Sequence, residues 1–160
     1  MLNEIINRLP DGRAEKDLAR YLRTLSEDEI VLLVESLLRH DSAIIRGTIL
    51  KLIPKIISSH HVLIKFLDIG LAKKNESKIK FWINATSSGL GYKRLLQHLL
   101  KVAETNPDWI VYAWYQLVPI IKKEAPDQVD KLQKIKDIID NNLCDELKDF
   151  WQRNQNAVPL

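Results

Sequence analysis

The sequence predicts an all-α protein, on a shortage of turn residues and a helical spacing of apolar residues. Only five of the 160 residues are glycine and six are proline. A β-sandwich or barrel needs a tight turn about every eight to twelve residues, which this chain cannot supply. Hydrophobic residues make up 46% and charged residues 28% of the chain, a balance that supports a buried core and argues against disorder. At roughly 150 residues per domain the chain reads as one unit. The expected division is a single helical domain over residues 1–153 and a frayed tail at 154–160.

The elements follow from caps and periodicity. Short helices are expected over residues 3–9 and 14–25, on either side of Pro10-Asp11-Gly12. Ser26-Glu27-Asp28-Glu29 is a capping box that starts a helix running to about residue 39. Asp41-Ser42 caps the next, in which Ile45, Ile49, Leu52, Ile53 and Ile56 recur at intervals of about three and four residues. Pro54 lacks an amide and crowds the preceding turn, so a kink or break is expected over 50–54. Further helices are expected over 61–73 and 76–87, with a break at Ser88-Gly89-Leu90-Gly91, and then over 92–104. Asn106 caps and Pro107 takes the first position of a long helix to about residue 123. Ala125-Pro126-Asp127 interrupts before helices over 128–141 and 145–153.

A weak internal repeat runs through these helices. At an offset of 65, Leu52-Ile53-Pro54 falls on Leu117-Val118-Pro119, and the apolar stripe maps onto Ile110, Trp114, Leu117, Val118 and Ile121. At an offset of 34, Asp41 to Ile45-Arg46 falls on Asn75 to Ile79-Lys80. Each copy follows another helix, so the repeating object is an antiparallel helix pair. On these residues the chain resembles a HEAT-like α-solenoid of about three to four stacked hairpins, covering residues 26–141. The third copy carries Val111 at the basic position, and Phe81-Trp82 replaces the usual small pair. An irregular helical bundle would use the same amphipathic helices.

The resemblance implies a binding surface along the second helix of each pair. At about 100° per residue, positions 47, 50, 51 and 54 point away from the stripe, as do their equivalents in the other copies. The candidate partner-binding residues are Arg46, Leu50, Lys51, Lys80, Phe81, Tyr112, Tyr115 and Gln116. Aromatic side chains and arginine on such a row are the residue types enriched at interface centres. Cover by flanking or terminal helices is the competing expectation. Trp114 falls on the stripe and Trp82 and Trp109 flank it, so these are expected to pack, and Trp151 to dock the last helix.

The net charge is +3, unevenly spread. Residues 1–40 carry −2, residues 41–105 carry eleven basic and four acidic side chains (+7), and residues 106–160 carry −2. Such a zone steers anionic partners. The leading expectation is therefore a non-enzymatic adaptor, inhibitor or assembly factor binding an acidic protein. The second reading is a nucleic-acid-binding HEAT-like protein linked to repair.

Signals for other chemistry are absent from the pattern. The adjacent pair His60-His61 projects about 100° apart on a helix, unlike the i, i+4 spacing of zinc hydrolases, so no metal is expected. The single cysteine, Cys144, has no histidine near it in sequence, and Gly89-Leu90-Gly91 lacks the third glycine of a dinucleotide fingerprint. Neither catalytic residues nor a cofactor is expected. An acidic Met1-Leu2-Asn3-Glu4 start and no apolar run near 20 residues lead to the expectation of a cytoplasmic protein without membrane contact.

Overall fold

The computed structural model describes residues 1–160, and it holds ten α-helices, two short 3-10 turns and no strand. The helices are α1 (Leu2–Asn7), α2 (Gly12–Arg23), α3 (Glu27–Leu38), α4 (Ala43–Ile56) and α5 (His60–Ala72). They continue as α6 (Ile79–Leu90), α7 (Tyr92–Thr105), α8 (Pro107–Glu124), α9 (Val129–Asn142) and α10 (Lys148–Ala157). None is long and apolar enough to cross a membrane. The chain divides into two compact units, Met1–Leu63 and Ile64–Leu160, where the sequence reading has one domain, and the boundary falls inside α5.

In the first unit α1 packs on α2, and α2 and α3 both pack on α4. The starts of α2, α3 and α4 are set by side-chain caps. Asp11 accepts from the amides of Arg13 and Ala14 at 2.8 and 3.2 Å, Ser26 Oγ from Glu29 at 3.3 Å, and Ser42 Oγ from Ile45 at 3.4 Å. The two backbone amides, with help from Arg8 and Arg13, hold the Asp11 carboxyl below the ordinary value of 3.8. Leu18, Leu22, Val34, Leu38, Ile49 and Ile53 are fully buried, each pair four residues apart on one helix face.

Of the kink or break expected over 50–54, the break does not occur. Helix α4 runs to Ile56, and Ile57 still donates to Ile53. Proline disrupts a helix by withholding its own amide and crowding the carbonyl four residues back. Two residues from the helix end, that loss is confined to the last turn, so the apolar stripe stays in register.

In the second unit α6 packs on α7 and α8, α7 on α8 and α9, α8 on α9, and α10 on α8. Neighbours in sequence are thus neighbours in space, and so are alternate helices. Two boundaries differ from the sequence expectation. Asn75 Oδ1 accepts from the amides of Ser77 and Lys78 at 3.2 and 3.1 Å, an Asx turn that delays α6 to Ile79. At the other end α6 runs through Ser88 and Gly89, and stops at Gly91, whose φ of 76° is the left-handed conformation that favours glycine.

The tail also differs from expectation. Helix α10 continues through Ala157, and Asn154 is buried, its Nδ2 donating to the Val111 carbonyl at 3.0 Å. Residues 154–157 are therefore docked helix. Lys122 Nζ donates to the Pro159 carbonyl beyond it. Asn154→Ala is expected to lower the unfolding free energy by about 1–2 kcal/mol, because it deletes a buried hydrogen bond. Urea denaturation measures this, and an unchanged midpoint contradicts the docked placement.

Candidate functional site

The eight expected contact residues fall into both units, three in the first and five in the second. In the first unit Lys51 is exposed and Leu50 half-buried. Arg46 has a local task. Its Nη1 donates to the carbonyls of His40 and Asp41 at 2.6 and 2.7 Å, closing the turn between α3 and α4.

In the second unit the row is partly open and partly covered. Phe81 on α6 is 44% exposed and Tyr115 on α8 is 49% exposed. Their helices pack directly against each other. The ammonium groups of Lys78 and Lys80 lie 5.6 and 5.2 Å from the Phe81 ring centre, within cation–π range. Lys80 itself is exposed, and Gln116 is half-buried. Tyr112 is half-buried because α10 reaches it: its ring lies 5.2 Å from that of Phe150, tilted by 40°. The cover by a terminal helix thus reaches Tyr112 and stops short of Tyr115.

Tryptophans mark the packing around this face. Trp114 is fully buried and meets Trp151 edge to face at 5.0 Å, which docks α10. Trp151 Nε1 donates to Asp140 Oδ1 at 2.7 Å. Trp82 is buried against Gly70 of α5, so closely that a Cβ at Gly70 would stand 2.4 Å from the Trp82 ring. Lys73 lies 5.7 Å above the same indole. Next to it Lys74, at φ 51°, pairs with Asp108 in the first turn of α8 at 2.6 Å. That hydrogen bond, with the charge of Asp108, raises the Lys74 pKa.

Sequence reasoning missed two polar features. Asp68 Oδ1 and His98 Nε2 meet at 2.6 Å, joining α5 to α7 across 30 residues that carry no local motif. Lys131, at the start of α9, keeps its Nζ out of solvent and without a hydrogen-bond partner. Burial, and then Lys93 and Lys134 nearby, push its pKa down, while Asp127 acts the other way. No group of three His, Cys, Asp or Glu residues converges in a way that would hold a metal ion, and Cys144 is exposed and free. Comparisons with protein-family models, with curated proteins and with solved structures return no match to this chain.

Proposed function

We propose that the chain is a non-enzymatic protein-interaction module, a short HEAT-like helical array whose second unit binds an acidic protein segment through Phe81 and Tyr115. The observation that carries this reading is the pair of aromatic rings left in solvent on neighbouring helices, one of them beneath two lysine ammonium groups. A single exposed aromatic needs no explanation. Two on adjoining helices, one of them flanked by two lysines, match the composition of an interface centre that takes carboxylates at its rim. The packing of alternate helices, α6 on α8 and α7 on α9, supports the stacked-hairpin architecture.

The proposed partner is acidic because Phe81 lies in residues 64–105, the part of the basic zone that belongs to the second unit, with eight basic and three acidic side chains. Aromatic anchors would supply the affinity and lysines the steering. Phe81→Ala combined with Tyr115→Ala is expected to weaken partner binding at least about tenfold while moving stability by no more than about 0.5 kcal/mol, as for other exposed sites. Binding titration beside thermal denaturation checks both halves.

A nucleic acid is the second reading, favoured by the same lysine-flanked ring, since bases stack on such platforms. Its weakness is the modest net charge of +3. Under this reading Lys78→Glu with Lys80→Glu, the two lysines at the Phe81 ring, would abolish binding to single-stranded DNA and flatten its salt dependence. Under the protein reading the unsubstituted chain shows no such salt-dependent binding to begin with.

A further inference from the structure

The first unit carries a charge pattern unlike the aromatic–lysine face of the second. Residues 1–63 hold nine basic and nine acidic side chains, so the unit is neutral as a whole. The two signs are nevertheless segregated by helix.

On α2, Arg13, Lys16, Arg20 and Arg23 recur at intervals of about three and four residues, all of them exposed. They form a row about 15 Å long on the side away from the buried Leu18 and Leu22. Asp17 interrupts the row and is taken by Arg8 at 3.1 Å and Arg20 at 3.5 Å. Arg13, Lys16 and Arg23 form no ion pair. Helix stability explains only half of this row. Arg20 and Arg23 in the last turn suit the negative end of the helix dipole, whereas Arg13 and Lys16 lie toward the positive end, where cations are disfavoured.

The outer face of α3 has the opposite sign. Asp28 and Glu29 are exposed and form no ion pair. One turn on, Leu32 is 69% exposed and points away from the buried Ile30, Val34 and Leu38. The acids serve the helix start, but an open leucine beside them does nothing for the fold of the chain. Both α2 and α3 pack on α4, whose buried residues make one stripe from Ile45 to Ile53. The two helices therefore lie on the same side of α4 and turn their outer faces the same way.

We propose that this surface is a dimer interface with a second copy of the chain. The α2 row of one copy lies against Asp28, Glu29 and Leu32 of the other, and the reverse, about a two-fold axis. A surface with both signs side by side is its own complement, which is what an isologous pair requires. The neutrality of the unit points the same way, because the acids that suit a second copy repel a phosphate backbone or an anionic bilayer. Leu32 supplies the apolar contact that a purely ionic row lacks. This pairing uses the first unit alone and leaves Phe81 and Tyr115 of the second to their own partner.

Sedimentation of the full chain tests the proposal. The expected result is a dimer with a Kd of about 10 µM at about 50 mM salt, at least about tenfold weaker at about 0.5 M, where charges are screened within about 4 Å. Arg13→Glu with Lys16→Glu places acids where the α2 dipole accepts them, so the fold is kept while the pairing weakens by at least about tenfold. Asp28→Lys with Glu29→Lys is expected to do the same from the other side. Each reversal counts twice in a two-fold interface, and a mixture of the two reversed chains is expected to pair again, as heterodimer. If the α3 reversal fails to fold, the exposed Leu32→Ser decides in its place, with a dimer about tenfold weaker than the parent. A parent that stays monomeric at about 0.5 mM, including one that binds a DNA duplex or phosphatidylserine vesicles instead, overturns the proposal. So does a dimer that neither salt nor the reversals weaken, or a mixture of folded reversed chains that does not pair.

Discussion

Trp114→Ala is expected to lower the unfolding free energy by about 4 kcal/mol, the cost of truncating a large, fully buried aromatic and leaving a cavity. The side chain is the largest of those with no solvent exposure, and it carries the edge-to-face contact by which Trp151 holds α10. Domains of this size are stable by only about 5–15 kcal/mol, so the variant loses a large share of the total. Its Tm should fall by about 15 °C. Trp114→Phe behaves differently. It gives up some packing but also removes a buried N–H without an acceptor, so its loss is expected to stay below about 2 kcal/mol. Denaturation of both variants reads the contrast, and equal losses contradict it.

Gly70→Ala is expected to destabilise by about 2 kcal/mol even though alanine is the better helix former. The propensity gain is about 1 kcal/mol, but a Cβ at this position would stand 2.4, 2.5 and 2.8 Å from Trp82 Cγ, Cδ2 and Cβ. Two of these atoms sit at the root of the side chain, where no flexible end can swing away. Either α5 or α6 must move. The double variant Gly70→Ala with Trp82→Leu is expected to recover more than additivity allows, with a coupling of about 1 kcal/mol or more. A single variant as stable as the parent, or strictly additive losses, contradicts the close approach of α5 and α6.

What the sequence carries about this protein is local and apolar. The helical class, the cap at Ser26, Pro107 at the start of α8, and the core placement of Trp114 all rest on signals within a few residues of each other. Boundaries set by competition were harder. The helix expected from residue 76 starts at Ile79 because the Asn75 side chain closes an Asx turn first, and the break expected over Ser88-Gly89-Leu90-Gly91 narrows to Gly91, the one residue there with a left-handed φ. Pro54 was expected to kink or break α4, yet the helix continues past it to Ile56, because it stands too near the end to cost more than the last turn. The docked end of α10 was illegible for another reason. Asn154 reads as polar tail, and its partner is a main-chain carbonyl at Val111, which leaves no mark in the sequence.

The candidate face was legible in part. Outward direction from the apolar stripe found Phe81 and Tyr115, because helical angle is a local property. It gave Tyr112 the same standing, since nothing local announces that Phe150, 38 residues on, lies against that ring. Arg46 likewise has the residue type of an interface anchor and the geometry of a turn clasp. The Asp68–His98 contact depends on two helices at once, so it has no sequence signature.

The central claim is that the Phe81–Tyr115 face takes a protein. The most direct measurement is affinity capture from native cell extract treated with nuclease, with the parent chain and the folded Phe81→Ala, Tyr115→Ala double variant as parallel baits. The expected result is one protein with an acidic binding segment, retained by the parent through nuclease treatment and lost from the variant. Equal retention by both baits, or retention that vanishes with nuclease, would contradict it.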